Sequence, residues 1–73
     1  MKQLVVNDWM ARDMIGYLYF AVYAISETEW WLYGGADTIK EAQAILSNEM
    51  ADAEEDDEGE WMIIDFEGKQ VNV

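Results

Sequence analysis

The chain has 73 residues, of which 52% are hydrophobic and 14% aromatic, and it contains no cysteine and no histidine. This composition predicts one small folded domain, residues 1–73, and it excludes disulfides, thiolate and imidazole metal sites, and cysteine nucleophiles. The formal net charge is −12. Direct binding to nucleic acid or to an anionic membrane is therefore disfavoured, and a basic partner is expected.

The length of the chain bears on its stability and its location. A domain of this size has a small core, so we expect tight packing of large side chains, or formation of a homodimer, to support it. The longest apolar stretch, residues 14–25, is too short to span a bilayer and follows Arg12 and Asp13 instead of a basic region. We therefore expect a cytoplasmic protein with no membrane partner.

The first elements are a short strand and a short helix. Residues 3–6 are apolar enough for an edge strand. Asn7 or Asp8 is placed to cap a helix that runs through Ile15, and Gly16 suits the left-handed position that ends it.

A hairpin is predicted next. Residues 17–26 are rich in β-branched and aromatic side chains and apolar on both faces, which indicates a central strand. Residues 30–33 form the returning strand after a tight turn. Gly34 and Gly35 are predicted to interrupt it.

The main helix begins at a capping box, in which Thr38 is followed three residues later by Glu41. Apolar residues then recur at helical spacing and predict one buried face, made of Ile39, Ala42, Ile45, Leu46, Met50 and Ala53. The opposite side is polar and is expected to face water, with Glu41, Asn48, Asp52 and Glu55; Glu49 lies at the edge of the apolar stripe.

The chain closes with a second hairpin. Residues 61–66 alternate as a strand, and Glu67 with Gly68 forms a two-residue turn that sends residues 69–73 back along it. The predicted fold is α+β: an antiparallel sheet of about four strands with one main amphipathic helix packed on one face.

Negative charge is concentrated in the second half of the chain. Residues 1–40 hold five acids and three bases, whereas residues 41–73 hold eleven acids and only Lys69. Many of these acids follow the predicted helix, where the helix dipole makes each anion unfavourable by roughly 0.3–1 kcal/mol. The simplest interpretation is a solvated loop that aids solubility. The functional interpretation is a surface for a basic partner.

Catalysis and metal binding are weaker interpretations. Two carboxylates across a cleft are the one acid–base arrangement that this composition favours, and no phosphate loop or nucleophile elbow is present. Residues 54–65 resemble a calcium loop with Gly59 at its sixth position, but the first and last ligands depart from the EF-hand pattern and a strand is predicted where a helix should follow. We expect a noncatalytic protein with no cofactor and no dedicated metal site.

Mimicry of nucleic acid is the favoured interpretation of the acidic run. Carboxylates three or four residues apart on a helix are about 5–6 Å apart, which is close to the spacing of phosphates along a strand. The predicted partner-binding residues are acids in and after the helix together with two adjacent tryptophans: Glu41, Glu49, Asp52, Glu54, Glu55, Asp56, Asp57, Glu58, Glu60, Trp30 and Trp31. Adjacent residues on a strand point to opposite faces, so at least one tryptophan is expected to be exposed or only partly covered.

A short, cysteine-free, strongly acidic and aromatic chain with the run ADAEEDDEGEW resembles the small anti-defence proteins of phages and mobile elements, the anti-CRISPR and anti-restriction inhibitors, several of which are DNA mimics. The resemblance is one of overall character, without a signature motif. It implies a basic, nucleic-acid-binding host protein as the partner. The alternative is a structural or assembly module that pairs through its sheet edge and an exposed tryptophan, with the acids serving solubility alone.

Overall fold

The computed structural model describes residues 3–52 and 59–71. In chain order, the elements are α1 (Asp8–Asp13), β1 (Tyr19–Ala24), β2 (Trp30–Ala36), α2 (Ile39–Asp52) and β3 (Glu60–Asp65). The strands form an antiparallel sheet, which confirms the predicted α+β class.

The sheet has the order β2-β1-β3, so the first strand of the hairpin lies in the middle. This confirms the prediction from its apolar side chains, because a central strand covered on both faces has no solvent-facing side. From Phe20 to Ala24 every residue of β1 is buried.

The two faces of the sheet have separate cores. On one face, Leu4 from the N-terminal segment and Met10 and Met14 from α1 and its end pack on alternate residues of the sheet, including Phe20, Val22, Ala24, Trp30, Met62 and Ile64. Gly16 follows with φ of +98°, in the left-handed conformation predicted for the end of this helix.

Helix α2 covers part of the other face. Its Ala42 is fully buried against Ala36 and Ile63, and Ile45 and Leu46 pack around them. The predicted cap is present, because the amide of Glu41 donates to Thr38 Oγ1 at 3.1 Å. One residue of the predicted buried face differs, because Met50 is exposed. Ala53 lies outside the described residues.

Gly34 and Gly35 correct the sequence prediction, since both lie within β2 and do not interrupt it. Both glycines allow neighbouring side chains to pack directly against the main chain of β2. A β-carbon on Gly34 would lie 2.8 Å from Ile45 Cγ2 of α2, and one on Gly35 would lie 2.8 Å from the Tyr17 ring. The glycines therefore allow a helix and an aromatic ring to approach opposite sides of the strand.

The predicted fourth strand is reduced to isolated bridges in the described part of the chain. Gln70 bridges to Ile64, and Lys69 bridges to Gln3 of the N-terminal segment. Gly68 makes the turn with φ of +88°, and its carbonyl accepts the Leu4 amide at 2.8 Å. The chain ends are thus tied together at one edge of the sheet.

Candidate protein-interaction surface

Four aromatic side chains meet on the sheet face that carries α2. We call Tyr23, Trp31, Tyr33 and Trp61 the aromatic cluster. The ring centroids of Tyr23 and Trp61 are 5.0 Å apart, those of Tyr33 and Trp61 are 4.9 Å apart, and those of Tyr23 and Trp31 are 6.3 Å apart. All three pairs are tilted, which is within the range of favourable aromatic contacts.

Strand register assembles the cluster. Tyr23 on the central strand is paired with Trp31 on one side and with Trp61 on the other, so the three side chains share a face. A bulge opposite Ala21 and Val22 adds one residue to β2. The added residue is Tyr33. It lies two residues after Trp31, so strand alternation sets both rings on the same face, where Tyr33 contacts Trp61.

The cluster is covered at its base and open at its top. Tyr23 is buried and Trp61 is half-buried, whereas Trp31 is 45% exposed and Tyr33 is 40% exposed. Two large rings on a firm aromatic base are typical of an interface anchor, because little side-chain entropy remains to be lost on binding.

Gly59 joins the acidic part of the chain to this cluster. It directly precedes β3, and a β-carbon at this position would overlap the ring of Tyr23. The main chain therefore passes directly over Tyr23 as it leaves residues 53–58. Ladder pairing then sets Glu60 opposite Ala24, at the same end of the sheet as the cluster.

The C-terminal end of α2 points toward the same end of the sheet. Its first turns lie at Ala36, where Ala42 packs, and a later turn lies over Gly34, where Ile45 packs. The helix axis therefore runs toward the start of β2. The last turn of α2 contains Asp52 and no basic residue. The last turn of α2 is therefore directed toward the end of the sheet that carries the aromatic cluster.

The predicted acidic site is described in part. Glu41, Asp52 and Glu60 are exposed and Glu49 is half-buried, as expected for a residue at the edge of the apolar stripe. The remaining predicted acids lie outside the described residues: Glu54, Glu55, Asp56, Asp57 and Glu58. Within the described ranges, eleven acidic side chains face only Arg12, Lys40 and Lys69 as bases.

The two adjacent tryptophans have different roles. Trp30 is 4% exposed, packs in the core on the α1 face and donates its indole N–H to the Val5 carbonyl at 2.9 Å. Its side chain is therefore not available to a partner in this fold. Trp31 points to the opposite face and is the exposed member that the sequence analysis anticipated.

A second exposed apolar surface lies away from the cluster. Ile15 is 76% exposed, and it lines a shallow hollow of about 380 Å³ with Tyr17, Leu18 and Phe66, all of which are also exposed. Sequence analysis did not single out these residues. Large exposed side chains at consecutive positions of a helix-to-strand connection carry no periodic signal.

The element that follows Gly59 is a strand, as predicted, whereas an EF-hand calcium loop would be followed by a helix. Residues 60–65 form β3, so no helix follows Gly59. In the described part of the chain no three acidic side chains come together as a potential metal site. The first five positions of the loop lie outside that part.

Comparisons with protein families, with curated proteins and with solved structures gave no match for this chain. Among the described residues, neither helix is long and apolar enough to cross a membrane.

Proposed function

We propose that this protein is a noncatalytic inhibitor that occupies the nucleic-acid-binding groove of a basic protein. The partner that fits best is a host defence protein, as for anti-CRISPR and anti-restriction inhibitors. The observation that carries the proposal is the pair of exposed rings, Trp31 and Tyr33, on the sheet face that carries α2, with the exposed carboxylate of Glu60 at the same end of the sheet.

The chemistry of nucleic-acid-binding grooves matches this placement. Such grooves present arginine and lysine side chains at the spacing of phosphates. An arginine guanidinium stacks on the face of a tryptophan or tyrosine ring while its N–H groups bind a carboxylate. Trp31 and Tyr33 supply exposed rings, and Glu49, Asp52 and Glu60 supply carboxylates that are exposed or half-buried.

The last turn of α2 supports a functional origin for the acids. It holds Asp52 and no base, although a basic residue at this end of a helix would be favourable by about 0.3–1 kcal/mol. A position where the charge opposes the stability of the helix is more readily explained by binding than by folding.

The test is competition with nucleic acid. The chain is immobilised, and basic proteins are recovered from a host lysate at 50 mM and at 500 mM salt. Each recovered protein is then loaded with a fluorescent DNA duplex, and displacement of the duplex by the free chain is measured. We expect recovery at low salt only, and displacement of the duplex at a stoichiometric concentration of the chain.

A matched pair of variants distinguishes the effect on affinity of charge at the proposed site from the effect of the net charge of the chain. The first neutralises acids in and after the last turn of α2: Asp52→Asn, Glu54→Gln, Glu55→Gln and Asp57→Asn. The second neutralises four acids elsewhere: Asp8→Asn, Glu27→Gln, Asp37→Asn and Glu67→Gln. We expect the first to lose at least about tenfold in affinity and the second to change by less than about threefold. Equal losses would refute a localised site.

The second candidate function is an assembly module, and two observations favour it. Strand β2 has an open outer edge in the described part of the chain, and Trp31 beside it is exposed. If this function is correct, Trp31→Ala abolishes association while the four-acid variant associates normally. Sedimentation of both variants distinguishes the two functions.

A further inference from the structure

Strand β2 is an edge strand whose first three residues, before the bulge at Tyr33, lack the usual protection against pairing. The sheet ends at β2, and no other described segment hydrogen-bonds to its outer side. Its sequence, WWLYGGA, contains no charged residue and no proline. Edge strands of monomeric proteins are generally blocked by charge, proline or a covering element, so an open apolar edge is suited to accept a further strand.

The hydrogen-bond register identifies the groups on the open edge. The amide of Ile25 donates to the Glu29 carbonyl at 2.9 Å, which makes the next pair, Ala24 with Trp30, a non-hydrogen-bonded pair. Antiparallel pairs alternate. The backbone N–H and C=O groups of Trp30 and Leu32 therefore point away from β1 and toward the open edge.

A groove with two carboxylates runs beside these groups. It has a volume of about 420 Å³ and is lined by the end of α1, the turn before β2 and the first residues of β2: Asn7, Met10, Asp13, Thr28, Glu29, Trp30, Trp31 and Leu32. Asp13 and Glu29 are exposed and contribute its charged groups. Neither residue belongs to the acidic run.

The charge of the molecule selects the occupant of this edge. A second copy would bring together two chains that each carry −12, whose fields repel each other. A basic segment would gain from the same field. An extended strand also sends alternate side chains to opposite faces of the sheet. One row would meet Asp13 and Glu29, and the other would meet the rings of Trp31 and Tyr33.

We propose that the outer edge of β2 binds an extended segment of the partner that carries arginine or lysine at alternate positions, with one cationic side chain in the Asp13–Glu29 groove. This proposal rests on the proposed function, because it specifies how the basic partner is held. It adds main-chain pairing at Trp30 and Leu32 to the electrostatic attraction.

Amide exchange with a synthetic strand tests this proposal. The ¹⁵N-labelled full chain is titrated with the hexapeptide Arg-Val-Arg-Val-Arg-Val, blocked at both ends. The control peptide, Arg-Pro-Arg-Pro-Arg-Pro, has the same charge but lacks the amides for strand pairing. We expect protection of the Trp30 and Leu32 amides to rise at least about tenfold with the first peptide and to stay unchanged with the second. The Trp31 amide, which already faces β1, is the internal reference.

Paired variants test the groove. Asp13→Asn with Glu29→Gln is expected to weaken binding of the alternating peptide by about threefold to tenfold. Asp37→Asn with Glu67→Gln removes the same charge outside the groove and is expected to have less than a twofold effect. Because all four side chains are exposed, the fold is expected to persist, and the amide spectrum of each variant verifies it.

Three results would overturn the proposal. The first is equal binding of both peptides, and the second is a response confined to α2. The third is protection of Trp30 and Leu32 that rises with protein concentration in the absence of peptide, which would make a second copy the occupant. No nucleic acid enters this experiment. A chain that pairs with the peptide but never displaces a DNA duplex would overturn the proposed function and leave the strand-pairing site intact.

Discussion

Trp30→Ala is expected to remove much of the stability of the domain, whereas Trp31→Ala is expected to leave it folded. Trp30 is buried in the core and Trp31 is nearly half exposed. Truncation of a buried tryptophan costs about 3–5 kcal/mol. The unfolding free energy of a domain of 73 residues is roughly 4–11 kcal/mol. The Trp30→Ala variant is therefore expected to lose from about a quarter to all of the free energy of unfolding at 25 °C.

A third variant isolates the hydrogen bond of Trp30. Trp30→Phe keeps an aromatic ring in the core but removes the indole N–H that donates to the Val5 carbonyl at 2.9 Å. Loss of this bond, together with the smaller ring, is expected to cost about 1–2 kcal/mol. Trp31→Ala is expected to cost a similar amount, because only about half of its side chain is covered.

Urea unfolding followed by far-ultraviolet circular dichroism measures all three variants, since tryptophan fluorescence changes with the substitutions themselves. The expected order of stability places Trp30→Ala last, with Trp30→Phe and Trp31→Ala close together above it. A Trp31→Ala variant as unstable as Trp30→Ala would show that the assignment of the two faces is incorrect. So would a Trp30→Ala variant with an unchanged midpoint.

The remaining predictions concern backbone and helix ends. Gly68→Ala is expected to destabilise the domain by about 2–3 kcal/mol, because φ at this position is positive and a β-carbon would overlap the Leu4 carbonyl. Gly16 also has a positive φ but has open space around it, so Gly16→Ala is expected to cost only about 1 kcal/mol. Midpoints of urea unfolding compare the two variants. Thr38→Ala is expected to lose about 1 kcal/mol with the cap on α2, whereas Thr38→Ser should retain most of it, and thermal unfolding measures both. Asp52→Lys is expected to raise stability by about 0.3–1 kcal/mol and to weaken binding of the basic partner, as measured by thermal unfolding and by DNA displacement. A stabilised variant with unchanged affinity would contradict the role given to Asp52.

Local signals in the sequence predicted several elements correctly. The apolar faces of residues 17–26 indicated a central strand, which the structure has as Tyr19–Ala24. Gly16 indicated a helix end, and Thr38 with Glu41 indicated a helix start. Each pattern depends on the chemistry of a few neighbouring residues, so it can be interpreted without knowledge of the tertiary structure.

Predictions that depended on distant contacts fared less well. Gly34 and Gly35 were interpreted as a break, although they permit α2 and Tyr17 to approach β2. Residues 69–73 were interpreted as a full strand, whereas residues 69–71 make isolated bridges, one of them to the N-terminal segment. Neither the helix over Gly34 nor the segment beside Lys69 is visible in the local sequence.

The aromatic cluster could not be predicted for the same reason. Its members come from three strands, and their meeting depends on the order β2-β1-β3 and on the register of both strand pairs. The sequence indicated that Trp30 and Trp31 would point to opposite faces, but it could not indicate which of them would be buried. The carboxylates of Asp13 and Glu29 lie far apart in sequence and meet at one groove only in the fold.

The most direct test of the central claim is the salt dependence of affinity for the basic protein recovered at low salt. We predict that the logarithm of the dissociation constant rises linearly with the logarithm of salt concentration between 50 and 300 mM, and that the slope falls in the variant neutralised at Asp52, Glu54, Glu55 and Asp57. An affinity that does not change with salt, or an equal slope in that variant, would contradict the claim that these carboxylates bind a cationic groove.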